Sequence, residues 1–308
     1  MRKESENNIV NIPLISVLIA TRNRKDSIEK LLYGMQSIQR NVSYELIVAD
    51  NSTENHAAEL ERKYSANLPL TVIHLSKPGK SNALNEAILR AQGELLVFAD
   101  DDIRPDTNWL FAYQEACSKW PEVNVFGGRI KVNEGLVPSW IRQSYNLQTI
   151  LLSEQDYGDQ PRVYEFDEYP VGPNLAVRRR VLQSLIRPWP EQFGPGTSLP
   201  VGDEIFFLQK LSAPTSQDRL YLPDCIIYHD FNLTHIRFFN ALKRCYQGGL
   251  VAGLRGRQAR LVVQNDTTVF ARVVSRVMTC RSLREMACIL SRGLGFGLGL
   301  LESGRMSR

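Results

Sequence analysis

The sequence lacks the features that mark several large classes of protein. Its five cysteines are scattered and form no CxxC pair, which argues against a disulfide framework or a zinc site and favours a reducing compartment. The first eight residues are polar and charged, so we expect no secretory signal. No apolar run reaches the roughly 18 residues needed to span a bilayer. The longest candidate, residues 293–301, is too short and follows Arg292. We therefore expect a cytoplasmic protein.

Two common nucleotide-binding loops are also missing. Gly79-Lys80-Ser81 resembles the end of a P-loop, but His74 stands where that loop needs its first glycine. No GxGxxG follows the first apolar run, so a dinucleotide-binding fold is not expected. Any nucleotide site must therefore be built from other residues.

The charge of the chain is unevenly distributed. Residues 231–308 carry 13 Lys/Arg against 3 Asp/Glu, whereas the preceding 230 residues carry 24 against 30. An acidic body with a basic tail indicates an anionic partner for the tail, lipid or nucleic acid. In the tail, arginines alternate with the apolar residues of 261–278. That alternation is typical of helices that pack on a domain or lie on a membrane surface.

Strands and helices alternate in the first third of the chain. Apolar runs at residues 14–20, 44–49, 70–75 and 95–99 have the length of buried strands. The segments between them carry helical spacing, with helices expected from Asp26 or Ser27, over about 54–64, and from 83 to Gly93. Residues 77–81 read as a turn. This order predicts an α/β fold with a mainly parallel sheet flanked by helices.

The less regular second half contains several further expected elements. We expect helices over 109–120 and 139–152, strands over 123–128 and 220–228, and a helix opened by Gly202-Asp203-Glu204.

Three consecutive carboxylates, Asp100, Asp101 and Asp102, follow the strand at residues 95–99. In an extended segment the first and third point to one side and the second to the other. Carboxylates at the carboxyl edge of an α/β sheet lie where ligands bind, and oxygen ligands suit Mg²⁺ or Mn²⁺. The alternative is a solvated turn in which Asp102 or Asp106 caps the next helix. The other polar strand ends favour a nucleotide-type site.

Six stretches together resemble the family 2 glycosyltransferases, over about residues 13–250. Each stretch alone is weak, but their order and spacing are specific. They are Val17-Leu18-Ile19-Ala20-Thr21-Arg22-Asn23-Arg24, Val48-Ala49-Asp50-Asn51-Ser52, Gly79-Lys80-Ser81-Asn82-Ala83-Leu84-Asn85, Phe98-Ala99-Asp100-Asp101-Asp102, Gly172-Pro173-Asn174-Leu175-Ala176, and Phe193-Gly194-Pro195-Gly196-Thr197 with Gly202-Asp203-Glu204.

The resemblance implies the GT-A fold, with a C-terminal helical extension here, and a nucleotide-diphospho-sugar donor. It implies a catalytic domain over residues 1–253, with nucleotide binding at about 13–102 and acceptor binding at about 103–253. Residues 254–308 would form the basic extension. A Mn²⁺ or Mg²⁺ ion would be held by Asp102 and His229. The implied nucleotide-sugar-binding residues are Thr21, Arg22, Asp50, Lys80, Asn82, Asp100 and Asp101.

The catalytic base has to come from a segment that follows the aspartate run. An inverting transfer needs a base on the face opposite the leaving group, so the metal-holding aspartates cannot serve. The family usually supplies the base from Glu-Asp at a helix start, whereas this chain has Asp203-Glu204. We expect one of the two to be the base and leave the choice open; the alternative is that both only favour the helix N-terminus.

The predicted function is a metal-dependent inverting glycosyltransferase. The donor would be a UDP-sugar, and the acceptor a glycan or lipid-linked saccharide. The basic tail is expected either to attach the protein peripherally to the inner face of an anionic membrane or to pack as helices on the catalytic domain. No nucleic acid is expected. The alternatives are a sugar-nucleotide pyrophosphorylase and a non-catalytic scaffold of the same fold that binds glycan or nucleotide.

Overall fold

A computed structural model of the chain describes residues 14–39, 41–165, 168–211, 219–258 and 280–303. Its centre is a nine-stranded mixed sheet with the order β3-β2-β1-β4-β8-β6-β9-β5, and β7 pairs with β9 beside this path. Alternate residues of the first strand belong to different apolar clusters: Val17 and Ile19 to one, Leu18 to the other. Both faces of the sheet are therefore covered, as in α/β proteins, and the predicted fold class is confirmed.

The first half of the sheet is parallel throughout. Its register aligns Thr21 with Asp50, and Ala20 with Asp100. The polar strand ends therefore meet at one carboxyl edge. The elements are β1 (Ile15–Thr21), α1 (Lys25–Met35), β2 (Tyr44–Asp50), α2 (Ala57–Tyr64), β3 (Leu70–His74), α3 (Lys80–Arg90) and β4 (Leu95–Asp100).

The second half adds antiparallel pairs, because β8 runs against both β4 and β6. The strand β9 is parallel to β6 and ends beside the aspartates. The elements are β5 (Ile103–Pro105), α4 (Trp109–Lys119), β6 (Val125–Val132), α5 (Ser139–Arg142), α6 (Tyr145–Leu152), β7 (Arg162–Val163), β8 (Leu175–Arg178), α7 (Asp203–Lys210), β9 (Arg219–His229), α8 (Phe238–Gln258) and α9 (Leu283–Ser303).

Several element boundaries differ from the prediction, each for a local reason. Lys80 and Ser81 form the first turn of α3 rather than a turn before it, since Gly79 at φ 114° already reverses the chain. The single helix expected over residues 139–152 is two helices that break at residues 143–144. Neither Asp102 nor Asp106 is the N-cap of α4, which is Asn108.

The two C-terminal helices pack so closely that their backbones nearly touch. A Cβ atom on Gly249 would lie 2.0 Å from the carbonyl oxygen of Arg292, and one on Gly295 would lie 2.1 Å from that of Tyr246. Only glycine allows such an approach. The predicted division at residue 253 falls inside α8 and stays a prediction. The apolar tail residues 261–278 lie outside the described residues.

A glycine substitution tests this helix contact. Because the added methyl group would overlap the backbone of α9, we expect Gly249→Ala to destabilise the protein by about 1–3 kcal/mol. In the control Gly297→Ala the methyl group meets no atom within 4 Å, and better helix propensity should stabilise the chain by about 0.5–1 kcal/mol. Urea unfolding of both variants measures the difference; equal stabilities would show that the close contact is absent in solution.

Candidate active site

The aspartate run lies where β4 ends, and β9 brings His229 to it from 127 residues further along the chain. The backbone N–H of Asp230 donates to the carbonyl of Asp102 at 2.8 Å, and His229 is opposite Ile103 in the sheet register. One ligand atom from each of Asp100, Asp102 and His229 lies within 4.8 Å of the other two. Asp101 is not part of this cluster.

The hydrogen bonds of His229 fit a cation in the cluster. Its Nδ1 lies 2.7 Å from the carbonyl oxygen of Leu152 and donates to it, because a carbonyl can only accept. This leaves Nε2 facing Oδ1 of Asp102 at 3.3 Å. That oxygen is buried and accepts no hydrogen bond from the described residues. An imidazole lone pair and a carboxylate oxygen need a proton or a metal ion between them. The Asp-Asp-His cluster can therefore hold a divalent metal ion.

The charged groups around the cluster shift the pKa values of Asp102 and His229 in the directions that favour their charged forms. Burial alone would raise the pKa of Asp102, but His229 and Arg24 outweigh it and hold that pKa well below its usual range. Burial would likewise lower the pKa of His229, but the carboxylates of Asp102 and Asp100 raise it. Since a metal ion must displace the proton from Nε2, metal binding here should weaken as the pH falls.

Arg24 is a residue of this edge that the sequence reasoning did not select. Its guanidinium donates to Oδ1 of Asp101 at 2.6 Å and to Oδ2 of Asp102 at 2.9 Å. The hydroxyl of Thr21 donates to the other oxygen of Asp101 at 2.7 Å. Asp101 is thus buried among internal partners, and its contact with a nucleotide sugar stays a prediction. In the sequence, Arg24 is marked only by its place in the polar run that follows β1.

The remaining residues of the predicted nucleotide edge lie on β1, β2 and α3. Thr21 and Asp50 are paired across the sheet, and the carboxylate of Asp50 is buried and accepts from the backbone N–H of Ser52 at 2.9 Å. Arg22 is exposed at the same edge. The side-chain amide of Asn82 already has two partners within the protein. Its amide donates to the carbonyl of Lys77 and accepts from Arg187, so its predicted contact with the diphosphate stays a prediction.

Lys80 links the aspartate edge to the second carboxylate pair. Its ammonium forms an ion pair with Asp100. Burial would lower the pKa of Lys80, but the nearby carboxylates of Asp100, Asp203 and Glu204 raise it above its ordinary value. The lysine therefore stays charged and neutralises part of a strongly acidic region.

Asp203 and Glu204 form the first turn of α7, which begins after Gly202 in the left-handed conformation. Asp203 is 4% exposed and packs against Gly194, where a Cβ atom would lie 2.8 Å from its Cγ. One of its oxygens, Oδ2, is buried and accepts no hydrogen bond from the described residues. Glu204 is only half-buried. Burial and the charge of Asp203 raise the pKa of Glu204 to about 8.

A cavity of about 650 Å³ joins these groups. Lys80 and Asp100 lie on its wall, together with Asp203 and Glu204. Helices α6, α8 and α9 supply much of the rest of the wall, so the C-terminal helices help to enclose it. Residues of this remaining wall include Tyr145, Tyr157, Tyr169, Glu165, Arg244, Gly248, Val251 and Arg292.

The fold resembles solved glycosyltransferase structures. The mannosyltransferase PcManGT from Pyrobaculum calidifontis, in complex with GDP-Man and Mn²⁺, aligns with a TM-score of 0.53 and 18% identity over 97% of this chain and 85% of that one. TarS from S. aureus (residues 1–349) aligns with a TM-score of 0.50 and 16% identity over 96% of this chain and 92% of that one. At these identities the likeness establishes the fold alone.

Sequence comparison extends the likeness to the family. The glycosyltransferase AglE of Haloferax volcanii is 32% identical over 103 residues, 32% of this chain and 34% of that protein. The dolichol-phosphate mannosyltransferase of Pyrococcus furiosus is 25% identical over 174 residues, 56% of this chain and 48% of that protein. The chain thus spans less than half the length of either relative. The profile of glycosyl transferase family 2 matches residues 16–186, more than half of the sequence, and the chain therefore belongs to that family.

Proposed function

We propose that this chain transfers a sugar from a nucleotide-diphospho-sugar to an acceptor hydroxyl, with inversion at the anomeric carbon. The observation that carries the proposal is the shared cavity. One cavity of about 650 Å³ is lined by Asp100, which belongs to the Asp-Asp-His cluster, and by Asp203 and Glu204. An inverting transfer needs these two kinds of group around one substrate, with the leaving group and the base on opposite faces of the sugar.

We assign the donor's metal site to Asp100, Asp102 and His229, with Mn²⁺ or Mg²⁺ as the ion. Such an ion, when bound, neutralises the charge that develops on the diphosphate leaving group. Lys80 adds a fixed positive charge at the same edge through its contact with Asp100. Thr21, Arg22 and Asp50 are the residues we assign to the base and ribose of the nucleotide. The PcManGT structure, solved with GDP-Man and Mn²⁺, agrees with this type of site.

Glu204 is our choice for the general base. Both acids line the cavity, but Glu204 is half-buried, whereas Asp203 is almost fully buried against Gly194. Glu204 would accept the proton of the acceptor hydroxyl as that oxygen bonds to the anomeric carbon. The bond from the anomeric carbon to the diphosphate oxygen breaks at the same time, and the nucleoside diphosphate leaves with that electron pair.

Asp203 then acts as a positioning residue. Its negative charge, together with burial, raises the pKa of Glu204, which makes the glutamate a stronger base than an exposed carboxylate. Burial likewise raises the pKa of Asp203, although Lys80 opposes this. Both carboxylates of the reversed pair therefore line the cavity, and Glu204 is the more exposed of the two.

Among solved relatives with the same fold, TarS was solved with UDP and PcManGT with GDP-Man. We propose a UDP-sugar as donor and a glycan or lipid-linked saccharide as acceptor. Peripheral attachment to an anionic membrane would bring the enzyme to a lipid-linked acceptor. No helix in the described parts of the chain is long and apolar enough to cross a membrane.

One observation favours a second candidate, a non-catalytic scaffold that binds glycan or nucleotide. Asp203-Glu204 reverses the order usual in the family, and the extra methylene of Glu204 changes the reach of the carboxylate. Family membership and the absence of a glycine-rich loop after β1 disfavour a sugar-nucleotide pyrophosphorylase. Slow hydrolysis of the donor in the absence of acceptor would distinguish the enzyme from the scaffold.

Nucleotide binding can be tested by thermal stabilisation. A ligand at 100 times its dissociation constant adds about 2.7 kcal/mol of stability. We expect UDP with Mn²⁺ to raise the melting temperature by several degrees, and either one alone to raise it less, since the diphosphate and the ion share one site. GDP, ADP and CDP with Mn²⁺ serve as matched controls. A larger shift with GDP would replace uridine by guanosine in the proposal, and no shift with any nucleotide would contradict the donor site.

A further inference from the structure

The N-terminal ends of α8 and α9 lie side by side, although they are 45 positions apart in the sequence. The guanidinium of Arg284 lies over the ring of Phe238, 5.7 Å from its centre, and Phe238 contacts Phe239 with ring centres 5.6 Å apart. The start of α9 is fixed by a capping box: the N–H of Glu285 donates to the hydroxyl of Ser282, and the carboxylate of Glu285 accepts from the N–H of Arg281.

This end of the helix pair exposes large apolar side chains. Phe239 is 82% exposed and Leu283 is 79% exposed. They flank the Phe238–Arg284 contact, one from each helix. What distinguishes them from single exposed apolar residues elsewhere is that two helix ends bring them to one end of the molecule, because adjacent exposed apolar side chains with a polar rim mark contact sites.

The same end is basic. Arg237, Lys243, Arg281 and Arg284 are all exposed, and Lys243 follows Phe239 by one helical turn, on the same face of α8. The sequence of α8 contains no acidic residue. In α9 the acidic residues are Glu285, which is buried in the cap, and Glu302 at the opposite end. An apolar surface edged by cations, without nearby helix carboxylates, is complementary to anionic lipid headgroups over an acyl layer.

We infer that this surface, formed by Arg237, Phe239, Lys243, Arg281, Leu283 and Arg284 and called here the basic–apolar end, docks on an anionic membrane. Phe239 and Leu283 enter the headgroup boundary, and the four cations contact lipid phosphates. The inference specifies the membrane attachment included in the proposed function. It assigns the membrane contact to two helix ends that only the fold brings together.

The orientation this gives the enzyme has a functional consequence. The same two helices supply Arg244, Gly248, Val251 and Arg292 to the wall of the cavity. Arg244 follows Phe238 by fewer than two helical turns, so a membrane held at the N-terminal ends would lie near this part of the cavity wall. A lipid-linked acceptor fits this arrangement.

Vesicle binding of the full chain tests the inference, with vesicles of phosphatidylcholine alone and of phosphatidylcholine with phosphatidylglycerol. We expect flotation with the anionic vesicles at low salt and much less at high salt. Because a basic residue near the surface contributes about a fivefold factor in binding, Lys243→Gln with Arg281→Gln should weaken it about 30-fold. The control pair Lys30→Gln with Arg62→Gln removes the same charge from exposed positions elsewhere and should have little effect.

The apolar contribution is tested separately. Phe239→Ser with Leu283→Ser should weaken vesicle binding by at least about tenfold. The control pair Leu89→Ser with Ile186→Ser changes side chains that are 70% and 93% exposed away from this end and should leave binding unchanged. Equal effects of the two pairs would overturn the inference, as would a full chain that ignores anionic vesicles at low salt. A dimer that Phe239→Ser dissociates would also overturn it, and would assign the surface to a second copy of this chain.

The outcome is separable from that of the proposed function. Vesicle binding is measured without donor, metal or turnover, so its failure would leave the transferase proposal standing. Conversely, loss of donor binding or hydrolysis would not affect the vesicle result. Melting temperatures of all four variant pairs show whether any change in binding comes from unfolding.

Discussion

Replacing Glu204 with glutamine is expected to lower turnover by about 10²–10⁴-fold while leaving donor affinity nearly unchanged. The amide keeps the shape of the side chain but cannot accept the proton of the acceptor hydroxyl. Initial rates with saturating donor, together with calorimetric titration of the nucleotide, separate the two effects. Near-normal turnover in Glu204→Gln would exclude it as the base.

A matched control is available in the same cavity. Glu165 also lies on the cavity wall, so Glu165→Gln makes the same chemical change at a different place. We expect it to alter turnover by less than about tenfold, since only the general-base position should carry a large effect. An equally large loss in both variants would indicate a general electrostatic effect of the cavity, with no specific proton acceptor.

The pH profile gives an independent reading of the same assignment. A base acts in its deprotonated form, and the pKa of Glu204 is raised to about 8 by burial and by the charge of Asp203. The value of kcat/KM should therefore rise with pH up to about 8 and then level off. Asp203→Asn removes the neighbouring charge, which should lower the pKa of Glu204 and move the rise to lower pH. A shift toward higher pH would contradict the positioning role of Asp203.

The second large effect is expected at the metal site. Asp102→Asn should weaken Mn²⁺-dependent binding of the nucleoside diphosphate by at least about 100-fold, because it removes a ligand charge from a cluster of three. The control Asp101→Asn changes the adjacent aspartate, which lies outside the cluster and contacts Thr21 and Arg24. Its Mn²⁺ affinity should stay within a few-fold of the unchanged protein.

Calorimetric titration of Mn²⁺ in the presence of UDP measures both variants. The affinity should also fall as the pH is lowered, because His229 must lose its proton to bind the ion and the carboxylates around it raise its pKa. Unchanged Mn²⁺ affinity in Asp102→Asn, or a greater loss in Asp101→Asn than in Asp102→Asn, would place the ion elsewhere.

Local patterns in the sequence determined the first, parallel half of the sheet and its helices. Short apolar runs separated by segments of helical period specify strands and helices, because each must bury one face or both. The aspartates could be placed at a strand end for the same reason, and the alternation of an extended chain put Asp100 and Asp102 on one side. The residues at which helices and strands begin depended on backbone details. For example, Gly79 at φ 114° lets α3 begin at Lys80, earlier than predicted.

Only the tertiary structure decided which distant residues meet. His229 reaches the aspartates because β9 pairs with β5 and β6, and long-range strand pairing leaves little trace in local sequence. Arg24 belongs to the site because its long side chain reaches from the end of β1 to Asp101 and Asp102 after β4. Asp203 is more deeply buried than Glu204 because it packs against the loop at Gly194. Nothing in the sequence aligned the starts of α8 and α9; backbone contact through their glycines fixes that register, because only there can two helices approach so closely.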